Sequence, residues 1–218
     1  MNIQYGQNHT LDYKYIPNRP YHEIQDRFLR NTLMALDHLY KTNALTISFT
    51  DDGVCRTVDI IDKLVENTED NIQIKFDTRN SYSPSTNTVT FYDTHGAMFR
   101  KNHKNSWFTP NRGYNSPMSL LAHELIHCYN ELYETEDYLA RKKDSSTRGV
   151  KIDNDGRDLS FPNAEERFVI RMTNQVVERL GEDKRNNYGR SYYPTENAIT
   201  TEKLRHFADP RKLFRKAR

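Results

Sequence analysis

Ser116-Pro117-Met118-Ser119-Leu120-Leu121-Ala122-His123-Glu124-Leu125-Ile126-His127-Cys128-Tyr129 is the stretch on which the reading of this chain turns. Serine as N-cap followed by proline at the first helical position opens a helix, expected to run to about residue 135. Residues four apart share one helical face, so His123 and His127 can reach a single ion. Glu124 lies about 100° further round, where it addresses a water beside the ion rather than the ion. Zinc accepts imidazole nitrogen and at catalytic sites takes three protein ligands plus a water whose pKa it lowers; a carboxylate there serves as general base. The pattern fixes only three positions, but its context supports it. Leu120, Leu121, Leu125, Ile126 and Tyr129 would bury the helix, and two imidazoles and a carboxylate inside a protein need a partner. The expectation is one zinc per chain, held by His123 and His127, with Glu124 as the base. Cys128 points away from His127 and reads as a small packed residue.

Downstream, a polar stretch at 141–160 is followed by Pro162-Asn163, which opens a second long helix with Glu165 and Glu166 in its first turn. Gly181 closes that helix. Upstream, residues 1–20 are polar and read as an extended arm, with the folded domain covering 21–218. A helix is expected over 21–41 from the spacing of Ile24, Phe28, Leu29, Leu36, Leu39 and Tyr40. Leu45, Ile47 and Phe49 alternate as a strand, and Asp51-Asp52-Gly53 turns it into a hairpin with Val54–Val58. A short helix near 59–67 and strands at 72–76 and 89–91 follow. Residues 94–115, rich in Asn and carrying the only tryptophan, Trp107, read as a long loop. The order is helix, several strands, then two long helices, which is the pattern of a single α+β domain.

The third metal ligand is open on residue chemistry alone. A glycine and a further histidine, three and six residues after His127, would mark a metzincin; Asn130 and Tyr133 stand there instead. His206, Asp153, Asp155, Asp158, Glu165 and Glu166 all remain. Helical spacing sets apolar residues beside both Glu165 and Glu166, so the pattern does not separate the two.

Composition narrows the function classes. Fourteen Tyr and ten Phe supply a core that a hydrophobic fraction of 35% would otherwise leave thin. A net charge of +2 argues against a broad nucleic-acid footprint. Two cysteines make no disulfide scaffold, and no apolar run has the length of a membrane span. The first residues lack the features of a Sec signal peptide. The expected partner is a protein substrate, not nucleic acid or membrane, and the expected state is a monomer.

Three pieces resemble the gluzincin peptidases of bacterial effectors, of the NleD and XopG type, and more distantly the clostridial neurotoxin light chains. They are Leu121-Ala-His-Glu-Leu-Ile-His127, then Asn163-Ala-Glu-Glu-Arg-Phe-Val-Ile170, then an Arg-x-x-Tyr pair. The last fits both Arg185–Tyr188 and Arg190–Tyr193; the stiff aromatic run Tyr192-Tyr193-Pro194 favours the second over the charged, solvated stretch 182–187. Together they span residues 121–193, about a third of the chain. The resemblance implies a zincin-like fold with a small mixed sheet, and a second long helix that supplies Glu166 as third ligand. It also implies that Arg190 and Tyr193 stabilise the oxyanion, and that Val89–Phe91 is the edge strand that aligns substrate. The activity it implies is that of a zinc metalloendopeptidase secreted without a Sec signal, with a secretion chaperone as a further partner. The protein it would cleave lies in a host cytoplasm, stress-activated MAP kinases being the substrates implied. An interbacterial peptidase toxin and a non-catalytic zinc protein are the alternatives.

Overall fold

The alternating runs do become strands, but they pair in an order that chain sequence does not announce. The computed structural model describes residues 1–51, 54–101, 112–148 and 161–204. The main sheet is built on β1 (Asn2–Tyr5), β2 (Leu11–Lys14), β5 (Gln73–Phe76), β6 (Ser81–Ser83) and β7 (Thr88–Phe91), in the order β2-β1-β5-β7-β6. β1, β5 and β7 run parallel, and β2 and β6 are antiparallel edges. Two expectations are corrected here. The first residues are not a free arm: β1 is an interior strand, and Ile3 is fully buried. Nor is Val89–Phe91 an edge, since β6 covers it.

Between these strands lie α1 (Arg27–Lys41), the hairpin of β3 (Thr46–Asp51) and β4 (Val54–Asp59), and α2 (Ile60–Glu66). The first helix starts at residue 27 rather than 21 because Asp26 caps it, accepting a hydrogen bond from the Leu29 N–H at 2.9 Å. A second correction of kind falls on 94–115. Part of it forms β8 (His95–Arg100) and β9 (Arg112–Asn115), which join β10 (Ser191–Pro194) in an antiparallel sheet ordered β10-β8-β9. Gly96 is what allows the close approach: a Cβ there would stand 2.5 Å from the Asn115 carbonyl oxygen and 3.0 Å from the Tyr193 ring. Trp107 lies outside the described residues.

The remaining helices are α3 (Pro117–Tyr133), α4 (Thr135–Lys143) and α5 (Ala164–Arg179). Ser116 and Asn163 cap α3 and α5 as the sequence predicts, accepting from the Ser119 and Glu166 N–H groups. α3 is buried continuously from Pro117 to Asn130, packed by α1, α2, α4, α5 and the strands β6 to β9. Its apolar side chains join Ile3, Leu36, Ile74, Phe91 and Val176 in one cluster. The whole is a mixed α/β arrangement compatible with α+β. No helix among the described residues is long and apolar enough to cross a membrane.

α5 ends in a Schellman turn. Gly181, at φ +70°, bonds back to Glu178, and the Glu182 N–H to Val177. The Glu182 carboxylate then accepts hydrogen bonds from the Ser116 N–H (3.0 Å) and the Ser119 hydroxyl (2.6 Å) at the start of α3. The C-terminal end of α5 is thus fastened to the N-terminal end of α3, and the two helices run antiparallel.

Candidate metal centre

Antiparallel packing brings the first turn of α5 to the middle of α3. His123 and His127 are buried there, as their flanking apolar residues dictate, and Glu166 meets both. One oxygen of Glu166, Oε2, lies 3.4 Å from His123 Nε2 and 3.3 Å from His127 Nε2. The three prospective ligand atoms all fall within 4.8 Å of one another. Four nitrogen or oxygen ligands about 2.0–2.1 Å from an ion, at tetrahedral angles, stand about 3.3–3.4 Å apart. The group is therefore one that could hold a metal ion, with Glu166 as the third ligand. Of the other candidates, His206, Asp153, Asp155 and Asp158 lie outside the described residues.

Glu165 has a different position. Its Oε1 is 3.3 Å from His127 Nδ1 and accepts a hydrogen bond from Asn130 Nδ2 at 2.9 Å, while Oε2 accepts from Arg141 Nε on α4. It is fully buried. On the other imidazole, His123 Nδ1 is 3.2 Å from the Thr173 hydroxyl, which itself donates to the Val169 carbonyl at 2.8 Å. Each histidine thus has its Nδ1 anchored and its Nε2 turned to Glu166. Such outer partners fix tautomer and ring orientation at metal-binding histidines.

The electrostatics follow from burial and these contacts. Burial holds His123 down at about 3, so its imidazole is neutral, the form that binds a metal. Burial works the same way on His127, but its bonds to Glu165 and Glu166 outweigh it and raise it to about 9. Glu166 is buried too, yet the two imidazoles hold it far below the usual carboxylate range. Burial is likewise opposed at Glu165, by its bonds from His127, Asn130 and Arg141, and its pKa also ends lowered. Glu124 is the exception: burial pushes it up against the pull of His127 and Arg190.

No protein-family model, curated protein or solved structure matches the chain.

The segment after α5 supplies the rim, and here two expectations shift. Arg185 was expected in a solvated stretch but is buried. Its Nη2 donates to the carbonyls of Asn187 (3.4 Å) and Tyr188 (3.2 Å), and its guanidinium lies over the Phe99 ring. It shapes the loop that presents Tyr188. Arg190 stacks its guanidinium over Tyr188 and Tyr192, at 5.7 and 5.5 Å from the ring centroids, and donates from Nε to the Tyr192 hydroxyl. Its Nη1 is buried with no hydrogen-bond partner among the described residues. The charges that act on Arg190 include Glu124, and those on Tyr188 include Glu166 and Glu124.

Tyr193 is not brought to this group. Strand alternation turns it to the other side of β10, where its hydroxyl donates to the Thr201 carbonyl at 2.9 Å and its ring meets Tyr114. The tyrosine beside Arg190 on the cluster side is Tyr188. Glu165, Asn130, Arg141 and Thr173 are contributors whose roles the sequence reading left unassigned. Helical spacing offered a signal for two of them: Asn130 is one turn beyond His127, and Thr173 two turns beyond Glu166.

Proposed function

We propose that this chain is a zinc-dependent endopeptidase with His123, His127 and Glu166 as ligands and Glu124 as general base. The observation that carries the reading is the single Glu166 oxygen 3.3–3.4 Å from both imidazole Nε2 atoms, with the buried Glu124 carboxylate one residue along from His123. A two-histidine, one-glutamate set is the donor chemistry of catalytic zinc, and it leaves a fourth position for water. When bound, zinc would supply Lewis acidity, lowering the pKa of a water and polarising a carbonyl. Glu124, its pKa raised by burial, accepts a proton from the attacking water and returns it to the leaving amine. Arg190, through its unpartnered Nη1, and Tyr188, through its hydroxyl, donate to the negative charge that develops on the carbonyl oxygen. Arg185 holds their loop, and Tyr193 has a structural part only.

The narrower role, that of a secreted effector acting on a protein in a host cell with stress-activated MAP kinases as the substrate class, rests on the resemblance of residues 121–193. The test is metal content together with cleavage of a denatured protein panel and mapping of new N-termini. Wild type should carry about one zinc and cleave; Glu124→Gln should keep the zinc and lose cleavage, since only proton transfer is removed. Cleavage by Glu124→Gln at the wild-type rate, or full zinc occupancy in His123→Ala/His127→Ala, would sink the proposal.

A further inference from the structure

Where the parallel strands β1 and β5 end side by side, at Tyr5 and Phe76, a cavity of about 340 Å³ opens against the first turn of α1. Crevices at the carboxyl ends of parallel strands are where open α/β sheets take ligands, and the volume lies at the small end of the range for ligand pockets. Four rings line it: Tyr5, His9 and Phe76, all half-buried, and the buried Phe28. Phe76 packs nearly perpendicular to Phe28 at 5.7 Å and close to parallel with His9 at 6.4 Å. The charged groups of the lining are engaged elsewhere. Asp26 accepts from the Leu29 N–H with one oxygen and from the Gly6 N–H with the other. Arg27, mostly in solvent, has its Nε 4.0 Å from Asp93. What the cavity offers an occupant is therefore ring surface rather than charge.

Phe76 also begins a second series of contacts, and this one leads to the metal centre. Its ring meets Tyr92 edge to face at 6.1 Å, Tyr92 meets Tyr192 at 6.4 Å, and the Arg190 guanidinium lies 5.5 Å over Tyr192. Each of these four side chains is half-buried, so none is sealed in the core. The row spans at most about 18 Å from Arg190 to Phe76. An extended chain covers that distance in about five or six residues, at roughly 3.3 Å each.

We propose that the cavity is an anchoring subsite for the polypeptide substrate. It takes a neutral aromatic side chain within about five or six residues of the scissile bond, and the chain between them lies along Tyr92 and Tyr192. A wall of rings favours another ring, set edge-to-face or offset. A lysine or glutamate side chain would shed its water against a wall whose own charges are already engaged. The inference rests on the peptidase reading, because Arg190 is what fixes the distance to the scissile bond.

Two measurements on the full-length protein test it. The first is independent of catalysis: isotope-labelled Glu124→Gln protein is titrated by NMR with N-acetylphenylalanine methylamide and with its alanine and lysine counterparts. The phenylalanine probe should shift the Gly6 amide and the Phe76 ring resonances saturably, and bind at least about tenfold more tightly than the other two. The second uses a peptide spanning a site cleaved in denatured casein, with phenylalanine or alanine placed in turn at each position within reach on either side of the scissile bond. Phenylalanine at one outer position, on one side only, should raise kcat/KM at least about tenfold. The gain should come through KM, because the contact is the same in the ground and transition states. Phe76→Ala and His9→Asn should remove that gain and leave cleavage of the alanine peptide unchanged. His9 has a φ of 54°, which asparagine tolerates, so the second variant keeps the test readable if the first does not fold. If no peptide is cleaved, the peptidase reading falls and the substrate role falls with it. If cleavage proceeds with no aromatic gain, or with a gain that both variants retain, the peptidase reading stands and the anchoring subsite is overturned. Saturable binding of the phenylalanine probe without any gain in cleavage would assign the cavity to a free aromatic ligand, and would overturn the proposal too.

Discussion

Replacing Glu165 and Glu166 in turn should give two different failures, because two adjacent carboxylates have been given separate jobs. Glu165→Ala strips acceptors from His127 Nδ1, Asn130 Nδ2 and Arg141 Nε, in a position with no access to water. Removing one partner of a buried ion pair costs about 3–5 kcal/mol, most of it the penalty on the charge left behind, here Arg141. For a chain of this size each kcal/mol moves the melting temperature by about 2–4 °C, so a fall of roughly 6–20 °C is expected. Urea denaturation in the presence of a chelator measures this without the metal. Zinc affinity, read by chelator competition, should drop about 10–100-fold, or roughly 1.4–2.7 kcal/mol, the usual effect of losing a partner that orients a ligand. Glu166→Ala removes the oxygen shared by both Nε2 atoms and should exceed that range in zinc affinity. The reasoning is refuted if Glu165→Ala costs less than about 1 kcal/mol in metal-free protein, or if it weakens zinc more than Glu166→Ala does.

Three further outcomes are expected. Tyr188→Phe should lower kcat about 10²-fold or more if its hydroxyl meets the oxyanion, whereas Tyr193→Phe should leave kcat near wild type and cost about 1 kcal/mol of stability through the orphaned Thr201 carbonyl; steady-state kinetics on one peptide distinguishes them. Ile3→Ala, in an interior strand at zero exposure, should destabilise by about 2–5 kcal/mol in urea melts, a value that a dangling arm would not yield. Thiol titration of the native protein should count one reactive cysteine, the exposed Cys55, because burial pushes the Cys128 thiol up to about 12; denaturation should release the second.

Local signals made the centre of the fold legible. Ser116-Pro117 and Pro162-Asn163 are caps whose chemistry acts within one turn, and Gly181 supplies a positive φ that few other residues tolerate, so α3 and α5 could be bounded from the chain alone. The hairpin β3–β4 was legible for the same reason. The three-stranded sheet was not: His95–Arg100, Arg112–Asn115 and Ser191–Pro194 carry little apolar alternation, and the last pairs with the first across about a hundred residues. β1 is polar at two of four positions, Asn2 and Gln4, and only its slot between β2 and β5 makes Ile3 core. The choice between Glu165 and Glu166 needed the partners that α3 and α4 bring, since both faces of α5 are apolar. Arg185 misled for a related reason: a guanidinium can be buried when backbone carbonyls of its own loop receive it.

The Glu182 clasp has a consequence of leverage. His127 sits eleven residues from Ser116, about 16 Å along the axis of α3 at 1.5 Å per residue, while Glu166 lies near the far end of α5. The two helices are tongs with their pivot at Ser116–Ser119–Glu182 and their tips at the ligands. One degree of play at the pivot moves a tip by about 0.3 Å, more than the roughly 0.2 Å by which metal–ligand distances can stray. Two hydrogen bonds remote from any chemistry therefore share, with the Glu165 bonds to His127 and Asn130 at the tips, in setting the gap between imidazole and carboxylate.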